Sequence, residues 1–397
     1  MSTRARLVEI NRRNAAHARD GTIDQADAVV EVPAANYVDP ARFEREMQAV
    51  FGRVPLVMAL SIEVPEPGSY KALQAGTVPV LVIRNDDGRA QAFVNACRHR
   101  GAQVVADGTG TGRRFTCPYH AWSYDRSGQL VGVLDRDEFG SFDEHCHGLV
   151  ALPTHEAAGI VWATLTTEPA VEFDTFLAGF DEVIEHRGLA QAHLVGHQVV
   201  EGPNWKVAYD GYMDFYHLPI LHKDSFGPNF PNKATYDAWG PHHQVSAPDP
   251  RLLRHLDEAD EAWPDDTLVN GILTVFPHVS IATFPVTGDT LFMVSQLFPG
   301  RSVGESVTTQ IFALAHEPTE ATRAAAIEQM AFLEHVVRNE DYATGIGVQR
   351  GLATGAFDHV LFGRNEAGGQ RFHRLLDELL ATDDVDVEAL FATRADG

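Results

Sequence analysis

The chain of 397 residues carries a formal net charge of −24, and 44% of its residues are hydrophobic. Nucleic acids and anionic membranes require a basic surface, so the acidic charge excludes both as main partners. Its 3 cysteines cannot form a disulfide framework, which indicates a cytoplasmic protein whose thiols are free to bind metal. We find no run of about 18 apolar residues and predict no transmembrane helix.

Residues 1–166 divide into three segments with different sequence patterns. Residues 1–40 are interpreted as an extension, whose Arg-rich start predicts an amphipathic surface helix or arm, with an organellar transit peptide as the alternative. Apolar residues at helical spacing predict a helix over residues 41–54 (Phe43, Met47 and Phe51). From about 55 to 166, short β-branched and aromatic runs separated by turn signals are typical of an all-β module.

The remainder alternates helices with strands and predicts an α+β module. We expect a helix that breaks within 204–222, antiparallel strands over 270–316, and helices over 317–345 and 368–383. The predicted domains are therefore an N-terminal extension, an all-β domain and an α+β catalytic domain (1–40, 41–160 and 161–397).

Four metal-ligand side chains occur in two short loops of the β module. The first loop reads Cys-x-His and the second Cys-x-x-His, with 17 residues between them (Cys97, His99, Cys117 and His120). Two cysteines and two histidines suit tetrahedral zinc or a Rieske [2Fe–2S] cluster. Zinc fingers usually place both cysteines in one half, whereas here each loop offers one of each kind. The pattern favours the cluster, with the cysteines on one iron and the histidines on the other.

A second candidate site lies in 204–222. As a helix, this segment would carry Asp210, Asp214 and His217 on one stripe, at i, i+4 and i+7. Burying two carboxylates on one helical face is costly unless they are paired or close to a metal. The spacing therefore predicts a functional face.

His222 follows His217 by five residues, an offset of about 140° on a straight helix. We expect Pro219 to break the helix and let the two imidazoles converge. Two histidines and one carboxylate from elsewhere would form the facial triad of non-haem Fe(II) oxygenases. Met213, Phe215 and the stretch 278–284 are candidate walls of a substrate pocket.

Together these motifs resemble the α (large, terminal oxygenase) subunits of aromatic-ring-hydroxylating dioxygenases, in the Rieske non-haem iron oxygenase family. The resemblance runs from about Phe43 to Leu380 and rests on CRHRGAQVV, CPYHAWSYDRSGQL and the spacing D-x-x-H-x4-H. Further matching positions lie in the second loop (Trp122, Tyr124 and Gly128). The resemblance implies a Rieske domain joined to an α+β domain, in which helices cover an antiparallel sheet in a helix-grip (START-like) arrangement.

The same resemblance implies a role for each site residue. His217 and His222 would bind a mononuclear Fe(II), and Asp214 would bridge His217 to His120 of a neighbouring subunit. The third ligand would come from a late helix, where we expect Asp341, with Glu340 as the fallback. The role of Asp210 stays open, and Cys146 is interpreted as a plain thiol.

The implied protein is a terminal oxygenase component that uses dioxygen to hydroxylate an aromatic or related small molecule. A separate reductase or ferredoxin would deliver electrons from NAD(P)H, and we expect a homotrimer or an α3β3 assembly. Arginines near the cluster loops either dock an acidic ferredoxin or are solvated charges (Arg98, Arg100, Arg113 and Arg114). The alternatives are a monooxygenase or demethylase of the same family, a Rieske electron-transfer protein without a second iron, and a zinc-stabilised structural protein.

Overall fold

The computed structural model describes residues 2–395. The chain divides into two compact units, one of residues 51–173 and the other formed by the segments before and after it. The domain bounds that we predict from the sequence, 41–160 and 161–397, stay a prediction. No helix within the described residues is long and apolar enough to cross a membrane.

The segment before residue 51 is largely helical. Its elements, in order, are α1 (Thr3–Asp20), β1 (Val30–Pro33), α2 (Ala35–Val38), α3 (Pro40–Glu46) and a π-helix (Met47–Phe51). Helix α1 is the expected amphipathic helix: it buries Leu7, Val8 and Ile10, while Arg4 and Arg12 donate to backbone carbonyls of the segment after residue 174. The helix predicted over 41–54 runs from Pro40 through the π-turn.

The unit of residues 51–173 is built from antiparallel strands, as predicted. A five-stranded sheet has the order β10-β5-β4-β3-β6, and two three-stranded sheets have the orders β11-β12-β2 and β7-β8-β9. The elements are β2 (Leu56–Leu60), β3 (Ser69–Ala75), β4 (Val78–Arg84), β5 (Ala90–Val94), β6 (Gly108–Thr111), β7 (Phe115–Thr116), β8 (Ser123–Tyr124), β9 (Leu130–Gly132), α4 (Arg136–Phe139), β10 (Ala151–Leu152), β11 (Thr154–Ala157) and β12 (Ile160–Ala163).

A seven-stranded antiparallel sheet forms the centre of the other unit, in the order β13-β19-β18-β17-β16-β15-β14. A further strand pairs with β1. The strands are β13 (His193–Gly202), β14 (Thr235–Trp239), β15 (His242–Ser246), β16 (Ile272–Val275), β17 (Val279–Val286), β18 (Asp289–Pro299), β19 (Ser306–Leu314) and β20 (His359–Phe362).

The helices that follow residue 172 are α5 (Phe173–Leu177), α6 (Phe180–Arg187), α7 (Trp205–Met213), α8 (Leu218–Leu221), α9 (Asp265–Leu268), α10 (Glu320–Val336), α11 (Ala343–Leu352), α12 (Ala367–Ala381) and α13 (Val387–Ala395). Among them, α7, α10 and α11 pack against strands of the seven-stranded sheet. A π-helix, Val337–Tyr342, joins α10 to α11, so the predicted long helix continues beyond residue 345. The mixture of helices and antiparallel sheet confirms the predicted α+β class.

The segment 204–222 breaks earlier than the sequence predicts. Helix α7 ends at Met213, and Asp214 is extended, with φ −104° and ψ 119°. Asp210, Asp214 and His217 therefore do not share a helical stripe, and that prediction is wrong. Pro219 does not cause the break; it lies in the first turn of α8, where its missing N–H costs no hydrogen bond.

Two candidate metal centres

The two cysteine–histidine loops of the β unit share one backbone pattern. In each loop the cysteine N–H donates to the carbonyl five residues on, at 2.8 Å (Cys97 to Ala102, Cys117 to Trp122). Each cysteine carbonyl accepts from the N–H four residues on, a position that has positive φ in both loops (Gly101, 76°; Ala121, 56°). Each loop is therefore a closed turn that needs one left-handed residue.

The four predicted ligand side chains of these loops form two pairs, one of cysteines and one of histidines. Cys97 and Cys117 are buried free thiols whose side chains lie within hydrogen-bonding reach of each other. Burial raises the pKa of Cys97, and Cys117 adds to that shift, whereas the Tyr124 hydroxyl lowers it. The imidazole rings of His99 and His120 lie 4.7 Å apart, centroid to centroid. Cysteines are thus paired with cysteines and histidines with histidines.

This pairing fits a two-iron cluster. Two buried thiols in contact cannot both ionise without a bound cation, and ferric iron supplies one. The Nδ1 atom of His99 is buried and has no hydrogen-bond partner among the described residues. Burial lowers the pKa of His99, and Arg100 and His120 lower it further. The imidazole is therefore neutral, with a lone pair available for iron.

The three further positions of the resemblance support the loops. Arg98 N–H donates to the Tyr124 hydroxyl at 2.9 Å, which leaves that hydroxyl free to donate to Cys97 Sγ at 3.3 Å. The Trp122 ring stacks on His99, with centroids 4.9 Å apart and planes 8° apart. Gly128 has φ 77°, and a Cβ atom there would clash with Phe93. A hydrogen bond to a ligand sulfur is one of the contacts that tune a cluster.

Cys146 lies on the surface, apart from this arrangement. Its thiol donates to Asp143 Oδ2 at 3.1 Å, and His147 Nδ1 lies 2.6 Å from the Asp143 carbonyl. The Asp143 carboxylate raises the pKa of the thiol. These contacts suit the plain thiol that the sequence analysis expects.

In the other unit, the structure brings His217, His222 and Asp341 together. Asp341 Oδ1 lies 3.6 Å from His217 Nε2 and 3.2 Å from His222 Nε2. One potential ligand atom from each of the three lies within 4.8 Å of the others. Two imidazoles and one carboxylate at this spacing are the donor set of the facial triad. The ligand assignment itself stays a prediction.

A separate carboxylate holds each imidazole from behind. Asp214 Oδ2 lies 3.0 Å from His217 Nδ1, and Glu340 Oε2 lies 2.6 Å from His222 Nδ1. A carboxylate at Nδ1 fixes the proton there and leaves Nε2 free for a metal. Glu340 thus occupies an orienting position, and only Asp341 faces both Nε2 atoms.

The neighbours Glu340 and Asp341 reach different atoms because both lie on the π-helix between α10 and α11. A π-turn spreads consecutive side chains differently from a regular helix, and such turns are frequent at functional sites. Neither this turn nor the contact of Glu340 with His222 was predicted from the sequence.

The close contacts between these imidazoles and carboxylates shift the pKa values of both. Burial lowers the pKa of His217, but hydrogen bonds to Asp214 and Asp341 outweigh it and raise the pKa to about 9. Burial raises the pKa of Asp341, yet the two histidines bring it below its usual value.

Local packing fixes the loop that carries the histidines. The Asp214 carboxylate accepts from the backbone N–H of Tyr216, which closes the turn after α7. The Gly227 N–H donates to the His222 carbonyl at 2.9 Å, and a Cβ at Gly227 would clash with the Leu218 carbonyl. The Phe226 ring stacks on His222 at 4.6 Å.

Asp210 takes part in a different network. Its carboxylate accepts from the Tyr37 hydroxyl at 2.8 Å and lies 3.0 Å from His373 Nε2. This contact joins α7 to α2 and α12, and it explains the partly buried carboxylate without a metal.

A cavity of about 290 Å³ opens onto the three predicted ligands. Its other walls are mainly apolar (Val207, Ala208, Phe215, Leu218, Leu221, Phe226, Ile272, Ala282, Phe284, Met293, Leu333, Val336, Val337 and Val348). Phe215 and the stretch 278–284 contribute as predicted, but the buried Met213 is not among the lining residues. A small, mostly apolar molecule would fit beside the ligands.

Two protein families match the chain. Residues 55–143 match the Rieske [2Fe-2S] domain, and residues 189–382 match the ring hydroxylating alpha subunit (catalytic domain).

Similar proteins include mono- and dioxygenases. The chain is 32% identical to the glycine betaine monooxygenase oxygenase subunit of Chromohalobacter salexigens, over 53% of the chain and 47% of that protein. It thus spans about half the length of that curated relative. Terephthalate 1,2-dioxygenase terminal oxygenase component subunit alpha 2 of Comamonas sp is 27% identical over 82% of the chain and 86% of that protein. The crystal structure of naphthalene 1,2-dioxygenase from Rhodococcus sp. bound to indole has the same fold, with a TM-score of 0.74, 18% identity, and coverage of 96% and 98%.

Proposed function

The chain belongs to the Rieske non-haem iron oxygenase family as an oxygenase α subunit, and we propose that it is the terminal component of a ring-hydroxylating dioxygenase. The observation that carries the proposal is the group of His217, His222 and Asp341 at the wall of an apolar cavity. It would hydroxylate an aromatic or related small molecule with dioxygen and electrons from a reductase or ferredoxin.

We assign the Rieske [2Fe–2S] cluster to Cys97, His99, Cys117 and His120, and a mononuclear Fe(II) to His217, His222 and Asp341. When bound, the cluster supplies single electrons, and the mononuclear iron supplies the open coordination positions that dioxygen chemistry requires.

The chain itself contributes orientation and exclusion of water. Asp214 and Glu340 hold the protons of His217 and His222 at Nδ1, so both Nε2 atoms remain available. The apolar walls bind the substrate body and displace water from the ligands. Asp214 has a further proposed role, as the bridge to His120 of a neighbouring subunit.

The main alternative is a monooxygenase or demethylase of the same family. The similarity to a glycine betaine monooxygenase oxygenase subunit supports it, and both reactions use the same metals. Product analysis with ¹⁸O-labelled dioxygen separates them. A dioxygenase would give a diol with two labelled atoms, whereas a demethylase would give one labelled atom and a lost alkyl group.

An electron-transfer protein without a second iron is the other alternative. The Nε2 atoms of both histidines lie close to Asp341, which argues against this alternative. A protein that only transfers electrons does not need two imidazoles and a carboxylate beside a cavity.

Partners and assembly are also proposals. The four arginines near the cluster loops are exposed and could dock an acidic ferredoxin (Arg98, Arg100, Arg113 and Arg114). We propose a homotrimer or an α3β3 assembly, because a closed ring can place one subunit's cluster beside the next subunit's iron. A cytoplasmic location stays a prediction from the cysteine content.

The test is a substrate screen with a surrogate reductase, read out by product mass. Aromatic substrates converted with oxygen from dioxygen would support the proposal. Conversion of quaternary amines alone, with loss of an alkyl group, would replace it with the monooxygenase alternative.

A further inference from the structure

One polar group in the cavity wall lacks a partner. Ser280 lies on β17, is 1% exposed, and lines the cavity. Its Oγ atom is buried and makes no hydrogen bond to any described residue. Its neighbours along the wall, Ala282 and Phe284 on the same strand and Met293 on β18, are apolar.

Two of the polar side chains in the same row as Ser280 have partners on the protein. Thr274, Ser280, Ser295 and Gln310 form a row across β16 to β19, so their side chains lie on one sheet face. Thr274 donates to the His243 carbonyl, and Gln310 donates to the Met293 sulfur at 3.4 Å.

Ser295 Oγ is likewise buried without a hydrogen bond to any described residue, but Ser295 is not among the lining residues of the cavity. It lies near the Tyr212 phenol, whose pKa is raised by burial and lowered by the Ser295 hydroxyl. Ser280 is thus the member of the row whose hydroxyl faces the cavity.

Resting on the proposed function, we propose that Ser280 hydrogen-bonds a neutral polar group of the substrate. Buried polar groups in proteins are nearly always paired, and the partner of this one must come from the cavity, as a water that a substrate group would replace. The substrate is therefore an apolar body with one uncharged acceptor, such as a carbonyl or ether oxygen.

The charge of the cavity supports an uncharged substrate. The carboxylates of Asp214 and Asp341 line it, and none of the described lining residues is Lys or Arg. A substrate carboxylate would find no lysine or arginine there and would be buried beside two other carboxylates, which is costly. A quaternary ammonium group has neither a donor nor a lone pair with which to pair the Ser280 hydroxyl.

Binding of a matched pair of probes tests this assignment without turnover. The probes are indane and 1-indanone, which differ only in a carbonyl oxygen, titrated into the full chain by calorimetry without reductase or dioxygen. We expect 1-indanone to bind about tenfold more tightly, because the hydrogen bond satisfies an otherwise unpaired buried hydroxyl.

Ser280→Ala should remove the preference and leave the affinity for indane unchanged, and Ser280→Cys should weaken the preference. Ser295→Ala is the matched control. It removes the same hydroxyl one strand away, from a position outside the cavity lining, and should keep the preference.

Three results would overturn the proposal: equal or tighter binding of indane by the unaltered chain, a preference for 1-indanone that persists in Ser280→Ala, or displacement of 1-indanone by benzoate or glycine betaine at lower concentration. Because these titrations need no reaction, they fail or succeed separately from the oxygenase activity.

Discussion

Glu340 and Asp341 are adjacent acids with separate tasks, and single substitutions should distinguish them. Asp341 faces both Nε2 atoms, whereas Glu340 contacts Nδ1 of His222. A ligand and an orienting group differ in what their loss does to metal affinity.

We expect Asp341→Asn to lose the mononuclear iron, and Glu340→Gln to keep it with an affinity lowered about 10- to 100-fold. The measurement is iron content after dialysis against a graded chelator. The Rieske absorption spectrum is the control and should be the same in both variants. Retention of iron by Asp341→Asn and its loss from Glu340→Gln would make Glu340 the ligand.

His242 gives a prediction about pH. Its Nδ1 accepts from the Phe276 N–H at 3.1 Å, and its Nε2 lies 3.0 Å from the Phe176 carbonyl. Both contacts suit the neutral ring with its proton on Nε2. Burial lowers its pKa to about 3, from the ordinary histidine value of about 6.5.

Because the folded pKa lies below the unfolded one, the unfolded chain binds the proton first as pH falls. The contribution of His242 to stability is fully present above pH 6.5 and is lost as pH falls toward 3, by up to about 1.4 kcal/mol per pH unit. Urea unfolding at several pH values between 5 and 7 should show this slope, and His242→Gln should make it shallower. An unchanged slope in His242→Gln would show that the ring does not titrate in this way.

At the scale of elements, the π-turn Val337–Tyr342 determines where the acids point. A π-turn contains one residue more than a regular helical turn. Deleting one residue from it would rotate the side chains that follow by about 100° about the helix axis. Gly345, just after the turn, packs against Pro203 and Val207, which anchors the following helix.

Deletion of the exposed Asn339 should convert the turn to regular α-helix and abolish mononuclear iron binding. Circular dichroism should report unchanged helix content, and iron analysis should report the loss. Asn339→Ala keeps the chain length and should keep the iron. Full iron content in the deletion variant would mean that the turn does not position Asp341.

Periodicity predicted most elements but not the details that orient the site. The sequence pattern identified the helix of residues 317–345 and the strands of 270–316, and most residues of those strands are buried. It placed the break in 204–222 at Pro219, since proline is the visible helix breaker, whereas the Asx turn at Asp214 ends α7. The π-turn has no spacing signature, and the partners of Asp210 come from residues more than 150 positions away.

For the whole molecule, the two candidate centres lie in different compact units. Motif spacing predicted the four residues of the cluster loops and the two histidines of the second site, whereas Asp341 came from the resemblance to the family. The cysteine pattern is specific because the chain contains only 3 cysteines. The residues that position the predicted ligands, such as Glu340 and Phe226, can be identified only from the structure. The route of electrons between the two centres is proposed from the resemblance to the family, and it is a contact between neighbouring subunits.

Mixed oligomers test that route. A chain carrying His120→Ala lacks a working cluster, and a chain carrying Asp341→Asn lacks the mononuclear iron, so each alone should be inactive. If electrons cross between subunits, co-expressed and co-purified mixtures should recover a substantial fraction of turnover. Mixed trimers, identified by mass, that show no turnover would place the transfer within one chain.

We propose that one chain holds a two-iron cluster and a separate mononuclear iron, so the iron content of the purified chain is the decisive measurement. We expect three irons per chain in the unaltered protein and two in His217→Ala, with the same Rieske absorption spectrum in both. Two irons per chain in the unaltered protein, unchanged by His217→Ala, would show that the mononuclear site does not exist.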